Sequence, residues 1–124
     1  MDFQPAKTVD EWNTLMKSDS KDLIRFLDDW NSFKRHKQDL LEGIDEKIIE
    51  AFTEKPVFNN GGLAGARYDI LADKLTFTQF ETLFGYFGLS MHLFDGGNDD
   101  WRNYYCSSPG TCGSMPGFIC TSNC

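Results

Sequence analysis

The sequence predicts an all-α protein: a small helical domain followed by an irregular, cysteine-rich C-terminal tail. Three observations carry that prediction. Apolar residues recur at helical spacing over residues 1–54 and again over 77–94. Two capping-box patterns, Thr8-Val-Asp-Glu11 and Thr78-Gln-Phe-Glu81, stand where helices would begin. The chemistry then changes abruptly: all four cysteines lie between Cys106 and Cys124, while every Asp, Glu, Lys and Arg falls at or before Arg102.

The elements follow in order. After the Thr8–Glu11 box a short helix would carry Trp12, Leu15 and Met16. Ser20 can cap a longer helix to about Glu42, with Leu23, Phe26, Leu27, Trp30, Phe33, Leu40 and Leu41 mostly on one face and Gly43 beyond its end. Ile44, Ile48, Ile49 and Phe52 mark a third helix, ended by Pro56. Residues 59–65 read as a loop from their Asn and Gly content, and 66–74 as one or two helical turns. Phe80, Leu83, Phe84, Phe87, Met91 and Phe94 form the last helical stripe, weakened by Gly85 and Gly88 at roughly 1 kcal/mol each. The run Asp95-Gly-Gly-Asn-Asp-Asp100 breaks that stripe, and no periodicity follows.

The bulk numbers narrow the function classes. A chain of 124 residues supports one domain with a real core, and eleven Phe with three Trp argue against disorder throughout. A net charge of −7 argues against nucleic acid, whose phosphates need a basic face. The one basic cluster, Lys34-Arg35-His36-Lys37, reads as the solvated side of a helix. No segment approaches the ~20 apolar residues of a membrane span, and the first residues lack a secretory pattern. The expected site of synthesis and folding is therefore the cytoplasm.

No catalytic constellation, phosphate-binding loop or cofactor motif is visible, so neither an enzyme nor a cofactor is expected. Asp95, Asn98, Asp99 and Asp100 do not follow a calcium-loop pattern, because Gly97 and Cys106 stand where ligands are needed. The cysteine spacings of x5, x7 and x3 lack the paired knuckle of a zinc site, so no metal is expected either. Disulfides remain an alternative, with three pairings open.

Two features point to function. Gly96-Gly97 follows an apolar stripe: counting back from Gly97, Phe94, Met91, Tyr86 and Leu83 fall at minus four, seven, twelve and fifteen. Such a stripe suits the groove of a processing protease. Downstream, a hydroxyl repeatedly precedes a thiol: Ser108 before Cys112, Ser114 before Cys120, Thr121 before Cys124. The Pro-Gly pairs at 109–110 and 116–117 favour turns that bring the ends together.

On these residues the chain resembles the precursors of ribosomally made, post-translationally modified peptides, most of all lanthipeptide precursors with a long leader. The resemblance implies a leader over residues 1–97, cleaved after Gly96-Gly97, and a core peptide over 98–124. Cys112, Cys120 and Cys124 would add as thiols to dehydrated Ser107 or Ser108, Ser114 and Thr121, forming thioether rings. Cys106 has no hydroxyl between Gly97 and itself, and would close a backward ring, a disulfide or neither. Implied partners are a dehydratase/cyclase and a double-glycine peptidase or transporter. The implied product is an exported, bacteriocin-like antimicrobial peptide. The competing expectation is a small acidic helical interaction or immunity-type protein with a disulfide-stapled end.

Overall fold

The computed structural model describes residues 2–36, 57–93 and 101–124. Among these, helix α1 covers Val9–Met16 and α2 Leu27–His36; strand β1 covers Val57–Asn59 and β2 Gly62–Arg67. Helices α3, Asp69–Ala72, and α4, Phe77–Tyr86, follow, and strands β3, Arg102–Ser108, and β4, Thr111–Cys120, complete the order. The strands form one antiparallel sheet in the order β1-β2-β4-β3. The fold is therefore α+β, which overturns the all-α expectation and the irregular tail with it. The helical elements expected between Leu40 and Pro56 lie outside the described residues.

The physical reason for the missed strands is their composition. Gly62-Leu-Ala-Gly-Ala-Arg67 and the Ser-, Gly- and Cys-rich tail lack the β-branched alternation that announces a half-buried strand. They pair because distant partners complete their hydrogen bonds. One local signal was present: Asn59 pairs with Gly62 around a two-residue turn, Asn60-Gly61. Both turn residues have positive φ, 52° and 81°, as a type I′ hairpin requires.

The helix ends also move. Thr8 caps α1 as expected, its Oγ1 accepting from the Glu11 N–H at 3.1 Å. The second helix starts at Leu27 rather than after Ser20, because Asp29 accepts from the N–H groups of Arg25 and Phe26 at 3.0 and 3.1 Å. In α4 the capping box is Thr76 with Gln79, two residues before the Thr78–Glu81 pattern. That helix stops at Phe87 instead of running to Phe94.

Chain segments far apart then share one core. Trp12, Trp30, Phe84, Phe87, Leu63 and Ile119 are all buried in it, drawn from α1, α2, α4, β2 and β4. Fully burying each of these side chains is worth about 1.5–3 kcal/mol. Trp12 meets Trp101 edge-on at 5.5 Å, and its indole N–H donates to Asn123 Oδ1 at 3.0 Å. Arg25 anchors the end of α1, donating to the carbonyls of Leu15, Met16 and Ser18 and to Gly61 across the fold. A cation there satisfies the orphan carbonyls of a helix C-terminus.

The two faces of the sheet differ in what they bury. Leu63 and Ile119 enter the aromatic core, while their chain neighbours Ala64 and Cys120 enter a small second cluster with Cys124, Tyr104 and Cys106. Alternating side chains on a strand explain the split. Residues on both sides of position 97 thus contribute to one sheet and one core.

Candidate functional site

The hairpin of β3 and β4, with the residues 121–124 that follow it, carries the cysteines and hydroxyls that the sequence singled out. Pro109-Gly110 makes its turn, between the paired residues Ser108 and Thr111. Tyr105 opposes Gly113, Tyr104 opposes Ser114 and Cys106 opposes Cys112. The next pair is Arg102 with Ile119, so residues 115–118 of β4 bulge out against Asn103 alone. The bulge bends β4 sharply enough to bring Cys112 and Cys120 to a Cα separation of 6.1 Å.

Asn103 holds this bend. It has φ 69°, a conformation that Asn tolerates better than most residues. Its Oδ1 accepts from the Tyr68 hydroxyl at 2.8 Å and from the Gly117 N–H at 3.4 Å. Gly117 itself has φ 87°, and its N–H and carbonyl both serve the junction, the carbonyl accepting from Tyr68 N at 2.9 Å. A Cβ there would sit 2.7 Å from Asp69 Oδ2, so glycine is required twice over. Arg102 donates to the Tyr68 hydroxyl at 3.3 Å, and Asp69 pairs with Arg67 at 2.7 Å. The Asp69 carboxylate raises the Arg67 pKa further above its ordinary value, keeping that guanidinium charged.

Two disulfides close the hairpin, Cys106–Cys124 and Cys112–Cys120. The Cys106–Cys124 bridge folds the last residues back on the turn, where Gly110 N donates to the Cys124 carbonyl at 2.6 Å. Asn59 and Asn60 also donate to the carbonyls of Cys124 and Asn123, both at 3.2 Å, tying this end to the β1–β2 turn.

The hydroxyls divide by environment. Ser107, Ser108 and Ser114 are exposed. Thr121 is buried; its hydroxyl donates to the Leu63 carbonyl and accepts from Asn123 N at 3.1 Å. The apolar stripe is scattered likewise. Leu83 and Met91 are buried in the core and Tyr86 packs against it, while Phe94, Gly96 and Gly97 lie outside the described residues. With the helix ending at Phe87, Leu83 and Met91 no longer share one helical face.

A groove of about 330 Å³ opens on the hairpin, lined by Gly65, Ala66, Tyr105, Cys106, Ser107, Met115 and Phe118. The Tyr105 and Phe118 rings meet at 6.2 Å and Met115 is 38% exposed, so the lining is apolar but reachable. Asn103, Tyr68 and Met115 were not predicted. Asn103 could have been suspected only as a residue suited to a left-handed position. Among the described residues, no helix is long and apolar enough to cross a membrane. Comparisons with protein-family models, with curated proteins and with solved structures gave no match. The fold and site define a small acidic α+β protein bearing a disulfide-stapled hairpin.

Proposed function

We propose that this chain is an interaction protein whose stapled hairpin is the recognition element. The observation behind this is where the staples sit. The helices pack through a large aromatic core to which the hairpin adds Ile119, whereas both disulfides join residues of the hairpin end, whose strand β3 buries no residue fully. Cross-linking that end fixes an exposed, uncharged surface in advance, which reduces the ordering cost when a partner binds.

The partner that fits is a protein segment offering one apolar side chain to the Tyr105–Met115–Phe118 groove, with Lys or Arg around it. The apolar contact supplies the anchor. The net charge of −7 speeds encounter with a basic partner. The reading is one of binding rather than catalysis.

The precursor reading keeps one supporting argument, the abrupt loss of charge after Arg102. Its chemistry would have to open the disulfides and draw out the Thr121 hydroxyl from its two hydrogen bonds. Intact-mass measurement on protein from its native cell separates the two readings. A mass lower than the unmodified chain by four hydrogens, restored by reductant, supports the interaction protein. Successive losses of water, insensitive to reductant, would overturn it in favour of thioether rings. For the binding surface itself, Met115→Glu and Tyr105→Ala should each abolish retention of a partner held by the wild type. Retention unchanged by both would remove the groove from the proposal.

A further inference from the structure

We infer that the reduced form of this hairpin is a tetrathiolate site for one zinc ion, mutually exclusive with the two disulfides. The sulfurs of Cys106, Cys120 and Cys124 all lie within 4.8 Å of one another, and the Cys112 sulfur is bonded to that of Cys120. Cys112 is not one of those three, and reaches them through its bond to Cys120. A tetrahedral zinc site with Zn–S of about 2.3 Å requires sulfurs about 3.8 Å apart. Opening each S–S bond from about 2.05 Å to that distance is a local movement, and Cα separations of 5.7 and 6.1 Å leave room for it.

The surroundings fit a closed structural site. Cys120 and Cys124 are buried beside Ala64, with Tyr104 packed against them. Residues 103–124 contain no Asp, Glu or His, so the cysteines are the strong metal-binding side chains there. Four thiolates with no open position favour a soft, tetrahedral ion such as Zn²⁺. No such signal is legible in the cysteine spacings of x5, x7 and x3, which contain no paired knuckle. The bend of β4 and the return of Cys124 to the turn bring the thiols together instead.

The chemistry balances as follows. Two molecules of a dithiol reductant each give two electrons and two protons to one disulfide, yielding four thiols and two oxidised reductant molecules. Zn²⁺ then replaces the four thiol protons, which pass to solvent. Two molecules of the oxidised, cyclic-disulfide form of that reductant, taking up four electrons from the thiolates and four protons from solvent, re-form the two disulfides, return to dithiols and release the ion, so redox state decides between a covalent and a metal staple. This inference does not depend on the proposed binding partner.

The test uses the whole chain, reduced with a phosphine or dithiol, cleared of reductant without air, and titrated with Zn²⁺ and separately with Co²⁺. Expected are one metal per chain, the absorption of a tetrahedral cobalt–thiolate centre, and a fall from four to zero in thiols reactive toward a disulfide reagent. The paired variant Cys112→Ser with Cys120→Ser should lose the cobalt spectrum. Four thiols that stay reactive in excess zinc would overturn the inference. So would metal binding that the paired variant leaves unchanged.

Discussion

The helical side and the hairpin side of this molecule are held together by different physics. On the helical side, large apolar rings do the work: Trp12, Trp30, Phe84 and Phe87 are fully buried, and capped helix ends settle the backbone. On the hairpin side, strand β3 is half-exposed at best, and two covalent bridges with one asparagine fix the shape. An apolar core tolerates surface change but not loss of volume. A stapled hairpin tolerates almost any exposed side chain but depends on oxidation.

Four tests press on that contrast. The largest effect is expected from Trp12→Ala, which empties a fully buried indole site and removes the donor to Asn123 Oδ1. A loss of about 4 kcal/mol is expected in denaturant unfolding, with both sides of the molecule destabilised together. If only α1 loosened while the hairpin stayed protected in hydrogen exchange, the shared core would be the wrong description.

Next is Cys106→Ser paired with Cys124→Ser. The bridge closes a loop with a sequence separation of 18, so its removal should cost about 3 kcal/mol. Here the loss should show first in hydrogen exchange of β3 and of residues 121–124, with the near-ultraviolet signal of Trp12 and Trp30 kept in mild conditions. Equal loss on both sides would mean that the staple holds the core as well.

Asn103→Ala sharpens the comparison further. It removes the acceptor for Tyr68 and Gly117 and places alanine at φ 69°, for an expected loss of about 2 kcal/mol. Asn103→Gly relieves the backbone and should recover part of that, isolating the contribution of the side-chain amide.

The smallest effect lies at Asp2. Its carboxylate accepts from the Ser20 hydroxyl and from Lys21 N, which lowers its pKa below the ordinary 3.8. The charged form is the one bonded, so its stabilising effect is present above that value and fades as pH falls through the lowered one. Asp2→Asn should flatten the acid side of the stability profile below about pH 4 and leave neutral pH nearly unchanged. An acid limb identical to the wild type would show that these exposed bonds contribute nothing.

The legibility of the fold followed the range of its interactions. The capping role of Thr8 and the Pro109-Gly110 turn each rest on contacts three residues apart, so both could be read directly. The Asn60-Gly61 turn was equally local, but its flanking Gly-Ala strand carried no hydrophobic alternation and read as loop. The start of α2 was misplaced because Asp29 reaches back to the chain before it and caps better than Ser20, which instead donates to Asp2. In the hairpin the cysteines and hydroxyls stood out as residue types. Their pairing, and the burial of Thr121 against Leu63, depended on strands brought together across the chain.

What the sequence alone determined is the division of labour: an acidic, aromatic-rich body, and an uncharged end in which every thiol is concentrated. Charge, apolar periodicity and turn residues act within a few positions, so they are written in the chain order itself. Only the tertiary structure decided that this end is a sheet and which thiols meet. Antiparallel pairing joins Gly65 to Cys120 and Arg102 to Ile119, and no local preference of Gly, Ser or Cys specifies such partners. Those choices rest on burying Leu63 and Ile119 in one core, an energy available only once the distant segments are already side by side.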